Sequence, residues 1–210
     1  MSLRERKKQQ VRNEILAAAS VHITRHGFHE TNMRAIADDA DISHQTLYNY
    51  FPTKAALVQA LLGRDTAKIT DQLTALFDTP HPDLPSLLTA VVTMLLEVLD
   101  RTGRTLWREV TAVSLREPGD FLPLADDYYQ HAQRRIGAAI AEAKLAGELV
   151  ESLDTKLMAQ ILYRIIDHAC LEFIVRAELT VDEMVAQVVA QLEMLIRPYL
   201  LPPPPLMKSP

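Results

Sequence analysis

Helix breakers are few and grouped in this chain: six Gly in 210 residues, and twelve Pro gathered in a few short stretches. Between them run long segments rich in Ala, Leu, Glu, Gln and Arg, residues that lose little on entering a helix. No segment shows the two-residue alternation of a strand. Val11, Ile15, Ala18, Ala19, His22 and Ile23 keep a 3.6-residue period, which predicts a first amphipathic helix over residues 6–26, ended by Gly27. Asn32 can cap a helix over 33–40, Ser43 one over 44–50, and Thr53, after Pro52, one over 54–77. DTPHPDLPS (78–86) holds three prolines and is a loop. Five longer helices follow, at about 84–101, 104–116, 121–146, 154–178 and 181–197. The last opens on Thr180-Val-Asp-Glu183, a capping-box sequence. The Pro-rich end, PYLLPPPPLMKSP, reads as extended or disordered. The expected fold class is all-α, with about nine helices.

Composition narrows the class further. An apolar fraction of 48% is enough for a packed core. A single cysteine, Cys170, excludes an internal disulfide and a Cys-rich metal site, which suits a reducing compartment. The start, MSLRERKKQQ, is basic with no apolar stretch behind it, unlike a signal peptide. No apolar run reaches the ~18–20 residues of a membrane span. The expected location is therefore cytoplasmic, with no membrane partner. Net charge is −5, but residues 1–64 hold nine Lys and Arg against six Asp and Glu, and the remainder holds 13 against 21. A basic head on an acidic body concentrates positive potential at one end, where a nucleic acid would dock.

The segment GFHETNMRAIADDADISHQTLYNYFPTKAAL (27–57) carries the chemistry. Two short helices crossing at a steep angle need a small residue at the crossing, here Ala37, and a residue tolerant of left-handed backbone four positions later, here Asp41. Ile36, Ile42, Leu47 and Phe51 supply the apolar lock. This spacing predicts a helix-turn-helix. The stretch resembles the N-terminal domain of the TetR family. Gly27, Phe28, Thr31, Met33, Arg34, Ile36, Ala37, Ala40, Ser43, Thr46, Leu47, Tyr48, Tyr50, Phe51, Lys54 and Leu57 match its pattern as they stand. Two places depart from it. Asp41 replaces the usual turn glycine, and His44-Gln45 stand where a basic or small residue followed by Gly or Ala is common, which changes what the third helix can read. Beyond about residue 65 the resemblance is architectural only.

The resemblance implies an organisation and a set of contacts. A DNA-binding domain would span 1–53, a connecting helix 54–77, an effector-binding and dimerisation domain 78–199, and a Pro-rich tail 200–210. Ser43 and the amides opening the third helix can hold a phosphate, as can Lys54 with a full charge. Thr31 and Arg34 are placed for the flanking backbone, and Tyr50 resembles the family's phosphate-contacting position. Thr46 belongs to the same set. His44, Gln45, Tyr48 and Asn49 can meet base edges: Gln and Asn pair with adenine, and a tyrosine ring packs on a thymine methyl. Arg4, Arg6, Lys7, Lys8 and Arg12 can form an arm on the DNA or a solvated tail. Arg34 can equally pair with a neighbouring acid.

In 154–178, Leu157, Ile161, Ile165 and Cys170 make one apolar stripe, and Met158, Leu162, Ile166, Ala169 and Phe173 another; 181–197 is apolar over a broad face. Two apolar sides need two partners, either as a central helix of a monomeric bundle or as a homodimer interface. The dimer reading is preferred, because two recognition helices one DNA turn apart read a palindromic operator better than one. The middle helices would enclose a site for a small effector, apolar or aromatic in character. Candidate walls and handles are Met94, Val98, Trp107, Arg108, Val110, Phe121, Leu124, Tyr128, His131 and Asp167. No GxSxG, HExxH, P-loop or GxGxxG is present, so neither an enzyme nor a bound cofactor is expected. His22 and His26 are four apart with His29 nearby, but no acidic or thiol third ligand stands at a set interval, so no metal is expected either. The function predicted is a ligand-responsive transcriptional regulator, a repressor released from its operator by the effector. The alternative is a helical interaction protein without specific DNA recognition.

Overall fold

The computed structural model describes residues 2–116 and 118–202 and, within these, all side chains except those of 62, 65, 66 and 118–126. The helices follow as α1 Leu3–Glu30, α2 Met33–Asp39, α3 His44–Tyr50, α4 Lys54–Phe77, α5 Leu84–Thr102, α6 Arg104–Arg116, α7 Pro118–Leu145, α8 Thr155–Val175 and α9 Val181–Ile196. A 3-10 turn, Arg197–Tyr199, closes the series. Among the described residues the only extended pairing is an antiparallel bridge between Leu149 and Leu200. The fold is all-α, as the breaker pattern requires. No helix among them is long and apolar enough to cross a membrane.

Several boundaries differ from those the periodicity predicts. α1 starts at Leu3 because Ser2 and Glu5 form a reciprocal capping box. Arg4, Arg6, Lys7 and Lys8 therefore ride exposed on a helix rather than on a loose arm, and Arg12 lies over the Phe51 ring at 5.5 Å. At Gly27 the backbone leaves helical geometry (φ 75°, ψ 168°), as the glycine predicts, and one further turn beyond this kink extends α1 to Glu30. α7 begins at Pro118, since a proline suits the first helical position. The chain end is tied down through Leu201: Val150 N–H donates to Tyr199 O at 3.0 Å and Leu201 N–H to Glu148 O at 2.8 Å. Residues 203–210 of the expected tail lie outside the described residues.

The chain divides into two compact units, Met1–Lys68 with Arg101–Asp126, and Ile69–Asp100 with Asp127–Pro210. In the first, Ile15, Leu16, Ala19 and Ile23 of α1 meet Ile36 and Ala37 of α2, Leu47 of α3 and Leu57 and Leu61 of α4. Leu106, Val110 and Val113 of α6 join them. Their spacing lays one stripe of α6 on this core, and α6 packs with α1. Each such fully buried aliphatic side chain contributes roughly 1.5–3 kcal/mol.

In the second unit, α8 turns Met158, Leu162, Ile166, Ala169 and Phe173 inward, and α9 packs beside it with Met184, Val188, Leu192 and Ile196 buried. The opposite side of α8 stays open: Leu157 is 53% exposed, Leu171 42% and Val175 59%. Met194 of α9 is 75% exposed. One apolar side of α8 is satisfied within the chain and the other is not.

Candidate nucleic-acid interface

α2 and α3 cross where Ala37 is fully buried. The turn between them needs one left-handed residue, and Asp41 takes it with φ 52°. A side chain there costs about 1 kcal/mol relative to glycine. The turn closes with Ile42 N–H donating to Ala37 O at 3.0 Å. Ser43 then caps α3: its hydroxyl accepts from Thr46 N–H at 3.0 Å and meets Thr46 Oγ1 at 2.7 Å. Fully buried Leu47, with Phe51 just beyond the helix, fixes the inner side of α3.

The outer side is left to solvent. Gln45 and Asn49 are exposed, and Gln45 Nε2 donates to Asn49 Oδ1 at 3.3 Å, so the two amides are already aligned one helical turn apart. Tyr48 is 39% exposed, and its ring meets His44 edge-to-face at 4.7 Å. Thr46 is half-buried, and Tyr50, also half-buried, leans on the core of the first unit. Thr31, Arg34, His44, Tyr48 and Lys54 all border one open concavity of about 690 Å³.

Two of these side chains already have partners. The Lys54 ammonium donates to Phe28 O at 2.5 Å, His29 O at 2.9 Å and Thr31 O at 2.9 Å, and it stands 4.7 Å from the Phe28 ring centroid. Three donors meet three carbonyls, leaving none for a phosphate unless a bond is given up. Desolvation holds its pKa below the usual lysine value, with Glu30 opposing. Thr31 is buried, and its hydroxyl donates to Gly27 O at 2.6 Å. Arg34 is exposed, with no acid paired to it among the described residues. Asn32 caps α2, its side chain accepting from Arg34 N–H at 2.8 Å. His22 meets Asp39 at 2.8 Å and His29 meets Arg116 at 2.7 Å, which gives two of the three histidines protein partners.

The candidates for an effector site are split between the units. In the first, Val110 is core, Arg108 is exposed, and Trp107 donates its indole N–H to Thr102 Oγ1 at 2.6 Å. In the second, Val98 is buried, Met94 and Tyr128 are half-buried, and His131 lies 3.4 Å from Thr74 Oγ1. The side chains of Phe121 and Leu124 lie outside the described residues. Asp167 accepts from Tyr163 O–H at 3.3 Å, and Tyr129 stacks edge-to-face on Tyr163 at 4.9 Å. Asp167 is exposed as a residue, yet desolvation of its carboxyl raises the pKa, against the Tyr163 bond and His168. Burial, aided by Asp167, pushes the Cys170 thiol up to about 12 and raises the Tyr163 phenol; at Tyr128 burial is again the main cause. Glu109, which reads from sequence as a further polar handle for an effector, instead accepts from Phe28 N–H at 2.8 Å across 81 residues.

A short helix with a polar outer side, capped at its start and crossed by a second helix through a left-handed turn, defines a helix-turn-helix DNA-binding protein. Residues 15–61 match the family described as bacterial regulatory proteins, tetR family. The HTH-type transcriptional repressor KstR of Mycobacterium tuberculosis is 39% identical over 84 residues, 39% of this chain and 36% of the repressor. The HTH-type transcriptional regulator UidR of Escherichia coli is 25% identical over 154 residues, 73% of this chain and 76% of its own length. The fold is shared with the transcriptional regulator FadR of Bacillus subtilis, solved in complex with stearoyl-CoA. Its TM-score is 0.68 at 19% identity, over 87% of this chain and 96% of that one. Over residues 15–61 the chain is therefore similar to the TetR family of bacterial regulatory proteins, and beyond them it shares the fold of solved TetR-family regulators.

Proposed function

We propose that this chain is a homodimeric repressor that holds a palindromic operator and releases it when a small apolar or aromatic effector binds. The observation that carries the reading is the outer side of α3, where Gln45, Tyr48 and Asn49 stand exposed and two amides are pre-aligned for base edges. Main-chain and cap contacts to phosphate fix register, and these side chains supply the sequence preference. The open stripe of Leu157, Leu171 and Val175 supports the dimer, since an apolar stripe of this kind calls for a partner and an isologous pair brings two α3 helices to one duplex. FadR in complex with stearoyl-CoA supports an apolar effector. α4 runs unbroken from Lys54 to Phe77, through the division between the units, and would carry the response. A coupling of about 1–3 kcal/mol would relieve binding roughly 5- to 150-fold.

Selection of duplexes from a random pool tests this. The chain should enrich one two-fold symmetric sequence, and Gln45→Ala or Asn49→Ala should flatten the preference at single base pairs, about 1–3 kcal/mol each. A pool that stays random while binding falls steeply with salt would instead mark a nonspecific polyanion binder.

A further inference from the structure

The kink at Gly27 leaves a donor that α1 cannot satisfy. With Gly27 at φ 75° and ψ 168°, the helical ladder is interrupted and Phe28 N–H turns away from it. Glu109 of α6 takes that donor at 2.8 Å, and a Cβ on Gly27 would meet the same carboxylate oxygen at 3.4 Å. Gly27 thus serves the positive φ and the close approach together. Seven residues further along α6, two helical turns away, Arg116 reaches His29 Nε2 at 2.7 Å. Lys54 in turn grips the carbonyls of Phe28, His29 and Thr31. The turn at 28–31 is therefore clasped between an anion on α6 and a cation on α4, and it leads directly into the Asn32 cap and exposed Arg34.

We propose that Glu109 is a positioning residue for DNA binding: by holding Phe28 N–H it sets the turn that presents Arg34 and the start of α2 to the phosphate backbone. The inference rests on the DNA-binding reading and adds a residue of α6 to it. A short charge-assisted bond at a kink fixes backbone direction where a free donor would let it swing. The proposal has a sign that simple electrostatics lacks. Removing a carboxylate near a polyanion, taken alone, tightens binding; losing a positioning bond weakens it.

The test compares Glu109→Ala and Glu109→Gln with wild type on the duplex that wild type itself selects from a random pool. Glu109→Ala should bind about tenfold more weakly, about 1.4 kcal/mol, with an unchanged salt slope because Glu109 touches no phosphate. Its Phe28 amide should exchange faster while the Leu16 and Ile36 amides keep their rates. Glu109→Gln keeps an acceptor and loses the charge, so it should bind at least as tightly as wild type. The proposal is overturned by wild-type affinity in Glu109→Ala, by faster exchange of the core amides together with Phe28, or by a Gln variant as weak as the Ala variant. Failure of wild type to select any duplex would sink the DNA-binding reading instead, and that result is obtained before any variant is made.

Discussion

α3 and α8 solve opposite problems. α3 has seven residues and buries one of them, Leu47; α8 has 21 and buries seven. The short helix is held by a cap, a neighbouring turn and a single apolar anchor, which frees its outer side chains for a partner outside the chain. The long helix is held by its own packing and still leaves Leu157, Leu171 and Val175 in solvent. An element built to meet a polar partner shows the partner's chemistry in its residue types. An element with two apolar sides shows only that it has faces.

Breaking each helix at its characteristic point separates the two cases. Leu47→Ala removes the anchor of α3 and should cost about 2–5 kcal/mol of the first unit's stability, seen as faster amide exchange through α1–α3 with α8 and α9 unchanged. Equal loss of protection in α8 would mean that the two units unfold as one. Leu157→Arg should leave the fold intact, since the site is half open in the single chain, and should convert the proposed dimer to monomer in sedimentation. A variant that stays dimeric would move the interface off this stripe.

A smaller effect concerns Lys54. Lys54→Met removes three charge-assisted bonds to carbonyls and should destabilise the first unit by about 1.5–3 kcal/mol, while the salt slope of DNA binding stays put. A lysine that contacts phosphate would lower the slope by about one on substitution. The smallest belongs to the second unit. Asp167 has a raised pKa, so its ionised form is the less favourable one in the folded state. Its contribution is present below the unfolded carboxylate pKa and is lost as pH rises through the raised folded value. Asp167→Asn should therefore lift the melting temperature by about 2 °C or less near pH 7 and do nothing near pH 3. A melting temperature that falls near pH 7 would contradict it.

The same contrast sets what the sequence could disclose. Asp41, Ser43 and Leu47 follow local rules of turn, cap and anchor, and their roles were legible from spacing. The helix order was legible too, because breakers and caps act within a few residues. Lys54 and Thr31 were visible as positions of a motif, but their hydrogen bonds were not, since Lys54 reaches carbonyls 23 to 26 residues away. Gly27 reads as a stop because the helical period runs out at a glycine, and the backbone does leave the helix there; that Glu109, 81 residues on, takes the Phe28 amide leaves no local mark. Val110 reads as an effector-site wall on apolar character alone, a property that the core of the first unit, where it sits, shares. Distant pairing and the choice between core and cavity are settled by packing, which leaves no periodic mark.

Backbone amide shifts on titration with the selected duplex test the central claim most directly. The outer positions of α3 (Gln45, Tyr48 and Asn49) should move most, with Ser43 and Arg34 next and α8 and α9 hardly at all. Shifts confined to the exposed α1 basic residues, with α3 silent, would contradict it.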